Sequence, residues 1–440
     1  MIGLLSIWAA LLAALVFLVI GRPREGGALT LAYFIGLSLI HVPGAVVCLG
    51  AGVSAVDRDI TQLGFETTVL GMGAFVVGAV FSRRSEWRRV PRDVGRSSHP
   101  GETFERPGWH TIAIGVGAYF VLLPISTAVP SLTSIVSATA TLLILGLWLL
   151  LYDAVAKADQ KRLLLTLCLL PLLPLATLVT GGFLGYGVYW VLSVVAFLFI
   201  IVRDRSWFYL AAPAAVYLGL SLFVSYMQQR ADIREAVWLE QSSLGDRLER
   251  VAKIFTQFEL VDLESPAHVD AINGRLNQNL LVGLGIIRHD AGAVNFAFGA
   301  TVPLWALIPR VIWPDKPEVG GSGDVVGDFT GVHFAHGTSV GIGQVLEFYI
   351  NFGIPGVILG FALLGFALPR LDFGIMRALA ARDGRGLLLR AMPGLTLLQP
   401  GGSLLEMLVA FVAALVAARM ILSFNLFRIS AGARVRQITA

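Results

Sequence analysis

The chain is short of charge and almost without cysteine. Charged residues fill 14% of its 440 positions, where a water-soluble protein carries about a quarter, so a soluble domain is excluded. The excess of positive charge is only +4, and the placement of the arginines matters more than their sum. Cys48 and Cys168 both lie in apolar runs, which excludes a disulfide framework and a cysteine-based metal site. The first apolar run, Ile2 to Ile20, has no basic leader ahead of it and is long enough to span a bilayer. It reads as a retained helix, with a cleaved signal peptide as the alternative. What abounds is apolar: hydrophobic residues make up 56% of the chain and the mean hydropathy is +0.76. These values predict an all-α polytopic integral membrane protein.

Apolar runs long enough to cross hydrocarbon fall at 2–20, 28–52, 64–82, 110–130, 132–152, 163–181, 183–202, 208–226, 342–368, 387–400 and 404–424. That is about eleven transmembrane helices by hydropathy. The run 387–400 is short, contains Pro393-Gly394 and reads either as a crossing or as re-entrant. The segment 83–108 carries Arg83, Arg84, Arg88, Arg89, Arg92, Arg96 and Arg106, and so belongs in the cytoplasm. Alternation then places 21–27, 153–162, 203–207 and 369–386 on the same side, each with basic residues of its own. It sends 227–341 to the other side. The organisation is thus a bundle over 1–226 of about eight helices, one large outer loop over 227–341, and a last membrane part with its tail over 342–440.

Inside that loop, Leu244, Leu248, Val251, Phe255 and Phe258 recur at helical spacing among charges, as in a helix lying along the membrane surface. A second helix is expected from Ser265-Pro266 to Arg288. The stretch 291–312 is apolar enough to dip into the bilayer, and 314–341 reads as irregular.

Arginine forks onto phosphate oxygens in pairs. Arg288 and Arg310 each follow an apolar run that holds them at fixed depth, which favours a phosphate-binding role over headgroup contact. For Arg230, Arg234, Arg247 and Arg250, near an amphipathic face, headgroup contact or ion pairing is the better reading. Lys316, beside Asp315 and between Pro314 and Pro317, is either a directed amine or a plain turn. Trp313 is suited to stacking on a sugar ring or to an interfacial anchor. Glu347, just inside a span, needs a partner; an arginine is favoured over a role as base, and Asn351 lies one turn further along the same face. His289, His333 and His336 are the outer imidazoles, and their spacing fits no zinc pattern. Asp57-Arg58-Asp59 forms a D-x-D of the type that holds a divalent ion in some transferases, and reads first as a surface turn.

The run Ile308-Pro309-Arg310-Val311-Ile312-Trp313-Pro314-Asp315-Lys316-Pro317 resembles the loop signature of bacterial O-antigen and exopolysaccharide repeat-unit polymerases, relatives of the O-antigen ligases. His336-Gly337-Thr338-Ser339, then Gly343, Glu347, Phe352-Gly353 and Gly356, resemble the family's helix start. Arg275-Leu276-Asn277-Gln278 resembles its arginine-bearing segment. Elsewhere the likeness is one of hydropathy, and the short outer loops lack a second arginine motif.

The resemblance implies an enzyme of the inner membrane that joins repeat units carried on undecaprenyl pyrophosphate at the periplasmic face. It implies no metal and no cofactor, with Arg288 and Arg310 steadying the leaving pyrophosphate, Lys316 assisting, and His289 or Glu347 as base. Arg275, Trp313, Asp315, His336 and Ser339 would contact substrate. The partners so implied are the lipid-linked oligosaccharide, the bilayer, a chain-length regulator and a flippase, with no nucleic acid. An O-antigen ligase is the nearest alternative and a transporter the alternative from another class. A metal-dependent transferase using Asp57 is a further rival.

Overall fold

The structure, a computed structural model, describes residues 1–50, 52–87, 103–126, 130–239, 242–308, 312, 313, 315, 322–334 and 340–427. It is 80% helical and has no strands among those residues. Among the described residues, ten helices are long and apolar enough to cross a membrane. They are α1 (Ile2–Ile20), α2 (Ala28–Val47), α3 (Ala55–Ser85), α4 (Glu105–Ser126), α5 (Leu132–Ala156), α6 (Gln160–Gly181), α7 (Leu184–Ile201), α8 (Ser206–Val237), α13 (Gln344–Ala380) and α15 (Leu404–Ser423). Four shorter helices, α9 (Leu244–Thr256), α10 (Pro266–Arg275), α11 (Gln278–Asp290) and α12 (Ser322–Thr330), lie between α8 and α13. The expected eleventh crossing is instead α14 (Gly384–Thr396), of 13 residues. At 1.5 Å per residue it is about 20 Å long, short of the ~30 Å hydrocarbon layer.

Glycine sets the tightest helix contacts, as expected where helices associate without a hydrophobic drive. A Cβ on Gly365 of α13 would stand 2.0 Å from the Phe75 carbonyl oxygen of α3, and one on Gly78 would stand 2.2 Å from that of Ala362. The α3–α11 contact is built the same way, from Gly64 and Gly283.

The arginine-bearing segments meet at one end of the bundle. Arg83, 3% exposed, reaches the Gly26 carbonyl and faces Glu25 at 3.7 Å. Asp372 accepts from the Leu29 and Thr30 amides at 2.9 and 3.0 Å, so α13 caps the start of α2. Arg162 pairs with Glu105 at 2.8 Å, and Arg382 lies over the Phe104 ring. Alternation predicts this gathering. Arg88, Arg89, Arg92 and Arg96 lie outside the described residues. The opposite end, which carries α9 and α10, is called the loop face below.

Two segments depart from the simple crossings that hydropathy predicts. In α13, Phe352 and Gly353 leave helical geometry, Gly353 at φ +62°. In an unbroken helix Phe348 and Gly360 would be about 18 Å apart. Here the Phe348 ring packs on Gly360 and on Phe361, and its carbonyl oxygen abuts Gly356. Residues 344–351 are therefore a short helix that rises to the loop face, turns at Phe352-Gly353, and folds back along the long remainder. Asn351 lies nearer the loop face than Glu347, the reverse of what a single span predicts. The other departure is the break between α14 and α15. Its Pro400 touches Gly36, and its Gly401 touches Ile40, halfway along α2. The two departures join there: the Gly343 amide donates to the Gly401 carbonyl at 3.1 Å, and Gln344 to Pro400 at 3.0 Å. Backbone broken at that depth persists because each side satisfies the other.

The segment 257–265 is clasped to α8. The amides of Glu259 and Val261 donate to the hydroxyls of Ser225 and Ser221, one turn apart. Buried His268 takes the Asp262 amide on Nδ1 and gives Nε2–H to Glu259 at 3.1 Å. Hydrogen bonds from Gln228, then from His268, hold the Glu259 carboxyl below its usual range. A depressed carboxyl contributes stability above its unfolded value and loses it as pH falls through the lower folded one. Hydrogen exchange over 257–265 should therefore stay slow near neutrality and quicken only below about pH 4.3. Glu259→Gln should show fast exchange at both ends of that range, and equal protection in the two proteins would refute the clasp.

Candidate functional site

The second expected helix divides at Leu276-Asn277 into α10 and α11. The break is fixed from outside: the Gly44 amide of α2 donates to the Leu276 carbonyl, and Asn277 packs against Gly44 and donates to Thr61 at 3.0 Å. From there α11 runs beside the short helix 344–351, with Gln278 against Gly343 and Gly285 against Leu346. Asn279 is fully buried, bonded to His41 and Thr68. It is α11, more than 291–308, that enters the bundle. The latter stretch folds as turns and a 3-10 segment with Phe298, Leu304 and Trp305 exposed.

Arg288 ends α11, where a cation suits the carbonyl end of the helix dipole. Its guanidinium packs against Gly331, whose φ of +75° lets the backbone approach: a Cβ there would stand 2.8 Å from Nη1. The Arg288 Nε is buried with no hydrogen-bond partner among the described residues. Next to it, His289 stacks on Phe296 with ring centres 3.9 Å apart, and Tyr349 closes the group edge-on. The imidazole Nδ1 is 3.4 Å from Asp290.

Glu347 is 1% exposed. Its Oε2 accepts the Leu404 amide at 2.5 Å and its Oε1 the Thr301 hydroxyl at 3.5 Å. Leu404 is the first residue of α15, so the carboxylate sits on a helix N-terminus, where it is favoured. Asn351 fixes the surroundings: its amide gives to Thr301 at 2.6 Å and to the Glu347 carbonyl at 2.7 Å, and its oxygen takes the Gly299 amide at 2.8 Å. The arginine expected on Glu347 is not found among the described residues; a helix end and a hydroxyl stand in its place.

The sequence candidates are therefore only partly brought together. Arg288 and His289 adjoin. Glu347 and Tyr349, two residues apart on a helix, point to nearly opposite sides, so Glu347 does not face His289. Arg275 is separated from Arg288 by the length of α11, about 20 Å, and keeps company with Arg230 and Arg234. Trp313 is 41% exposed and Asp315 is exposed. Arg310, Lys316, His336 and Ser339 lie outside the described residues. Asp57 falls in the first turn of α3, with Asp59 two residues further along the helix, and no group of three metal-ligating side chains occurs among the described residues.

Residues to which sequence reasoning gave no role form a polar seam at mid-bundle. The Tyr33 hydroxyl donates to Gln344, whose amide reaches the Gln399 carbonyl at 3.2 Å, and Gln278 donates to Gly341 at 3.4 Å. The signal was present in Gly341, Gly343 and the run Gln399-Pro400-Gly401-Gly402, polar and helix-breaking inside apolar stretches. Compared with protein-family models, with curated proteins and with solved structures, the chain matches none. What the fold itself defines is a multi-pass, all-helical membrane protein.

Proposed function

We propose that the chain is a membrane glycosyltransferase that joins oligosaccharide repeat units carried on undecaprenyl pyrophosphate, working at the periplasmic face of the inner membrane. The observation that carries this reading is Arg288, a cation whose buried Nε has no partner among the described residues, beside the imidazole of His289. In the reaction the acceptor hydroxyl attacks the donor's anomeric carbon. The bond to the pyrophosphate breaks, and that group leaves with the electron pair. Arg288 offsets the charge developing on it. The hydroxyl proton passes to His289, which is favoured over Glu347 because it adjoins the arginine. The resemblance over 308–317 and 336–356 adds Arg310 and Lys316 to the same charge.

The test is polysaccharide chain length in a deletion strain complemented with Arg288→Ala. Losing one such donor costs about 10²–10³ in rate, so polymer should vanish from normally inserted protein, with single units still attached to the core. A full ladder from Arg288→Ala would end the proposal. Free lipid-linked polymer instead of single units would favour a ligase.

A second reading, transport of a polysaccharide or lipid-linked oligosaccharide, is favoured by one observation: two broken segments with helix starts at Gln344 and Leu404 meet halfway along α2. Discontinuous helices at that depth are a transporter device. Flux of a lipid-linked glycan into proteoliposomes without polymer formation would decide for it.

A further inference from the structure

No charged residue stands between Asp290 and Arg310, in a run that begins beside the Arg288–His289 pair. Folded, this run hides little of its apolar content. Phe298 is 73% exposed, and Leu304, Trp305 and, further on, Trp313 are exposed with it. An apolar patch of this kind marks a surface for a partner or a membrane.

The backbone fixes the patch at the turn of α13. The amides of Ala297 and Phe298 donate to the carbonyls of Ile350 and Asn351 at 2.8 and 3.1 Å, and that of Gly299 to the Asn351 side chain. These bonds close the end of the short helix 344–351 and leave Phe298 in left-handed geometry, at φ +47°. A bulky residue seldom occupies that region, and such strain lasts only where the surroundings impose it. In water, glycine or asparagine would suit the position better. A strained aromatic ring turned outward is rewarded by an apolar phase outside the protein.

The position of the ring says which phase. Phe298 meets Phe352 with ring centres 6.4 Å apart. From Phe352 the outer face of α13 continues through exposed Leu359, Leu363 and Phe366, at the three- to four-residue spacing of one helix face. Since α13 is long and apolar enough to cross a membrane, that stripe faces hydrocarbon, and the loop patch continues it past the turn. Backbone donors along the run are met locally: Ala300, Val302, Ala306 and Ile308 each donate to a carbonyl three residues back. Paired amides cost less to take out of water. Tryptophan, present at 305 and 313, is favoured where headgroups meet acyl chains.

We infer that residues 296–308 are seated in the bilayer at the loop face, as a ridge roughly 5–10 Å into the boundary of headgroups and acyl chains. The partner is the lipid surface. The ridge also sets a depth for the site: Phe296, which stacks on His289, meets Phe298 edge-on at 6.1 Å. Arg288 and His289 are thereby held at the level of lipid headgroups. The inference does not depend on the glycosyltransferase reading, and its test reads depth alone.

The full chain, carrying Cys48→Ala and Cys168→Ala, receives one cysteine at a time, labelled with a fluorophore, in nanodiscs of phosphatidylcholine and phosphatidylglycerol. Leu363→Cys is the hydrocarbon reference, and Glu264→Cys, exposed on the segment clasped to α8, is the water reference. Doxyl-labelled acyl chains quench a label in the bilayer, and iodide quenches one in water. At Phe298→Cys, Leu304→Cys and Trp305→Cys, doxyl quenching should approach that at 363, and the iodide quenching seen at 264 should be lost. Three positions are read so that one poorly folding variant does not decide the outcome. Iodide quenching as strong as at 264 overturns the inference. Quenching by neither reagent overturns it too, since protein, such as a second copy of the chain, would then cover the patch.

Discussion

Gly64→Ala is expected to destabilise the protein although it adds a single methyl group. That methyl would stand 2.0 Å from the Asn279 carbonyl oxygen, and its counterpart on Gly283 would stand 2.1 Å from that of Ile60. Both neighbours are backbone, so no side chain can swing aside and α11 as a whole has to move away from α3. Overpacking of this kind costs about 1–3 kcal/mol, occasionally more. Moving α11 also loosens the buried bonds of Asn279 to His41 and Thr68 and shifts Arg288 and His289 at its far end. Unfolding in detergent, followed with the double substitution Gly64→Ala/Gly283→Ala, checks the claim. Once the helices are parted, the second methyl should cost less than the first, giving a less than additive pair. Two single variants within about 0.5 kcal/mol of the wild type would show that the helices are not in such contact.

The other large effect is expected at Asp372. Asp372→Ala takes the acceptor from the Leu29 and Thr30 amides and from the Thr30 hydroxyl, 2.6 Å away. It also leaves buried Arg83 with Glu25, at 3.7 Å, as its remaining carboxylate. Breaking one side of a buried charge arrangement costs about 3–5 kcal/mol. Asp372→Asn keeps an acceptor for the cap and should lose less, and Arg83→Met in the Asp372→Asn background should recover part of the loss. Expression level and thermal unfolding of the three variants decide it. Asp372→Ala as stable as the wild type would mean that the junction of α13 with α2 contributes nothing.

Most of the membrane architecture was legible in the sequence, because the apolar runs exceed the length of a crossing and the arginines fall into alternate segments. Arg83 and Arg162 end up at the same end of the bundle for that reason. What hydropathy could not read was direction within a run. Gln344 to Ala380 looks like one helix because a fold-back at Phe352-Gly353 needs only one residue of positive φ, and its apolar neighbours hide it. The run 387–400 was rightly suspect: Pro393 and Gly394 lie inside α14, and the helix ends at Thr396.

The site was less legible still. Arg288 and His289 were found because charge after an apolar run is conspicuous. Glu347 was found too, but its partner was misjudged, since the amide of Leu404 comes from 57 residues further along and a main-chain donor leaves no mark in a sequence. Gln344 and Thr301 carry no charge and stood out in no pattern, and Gln278 stood out only as the end of the Arg275-Leu276-Asn277-Gln278 resemblance. Arg230 and Arg234, placed by hydropathy in the loop 227–341, instead continue the span α8 to Val237.

The pairing of Gly343 with Gly401, and of Glu347 with Leu404, bears on how the protein is made. Residues 341–351 emerge from the ribosome well before the stretch that completes them. Until 397–404 arrives, two amides and a carboxylate stand bare in an apolar setting. The hairpin of α14 and α15 thus acts as a keystone, and biogenesis has to hold the preceding helices open until it is set in place.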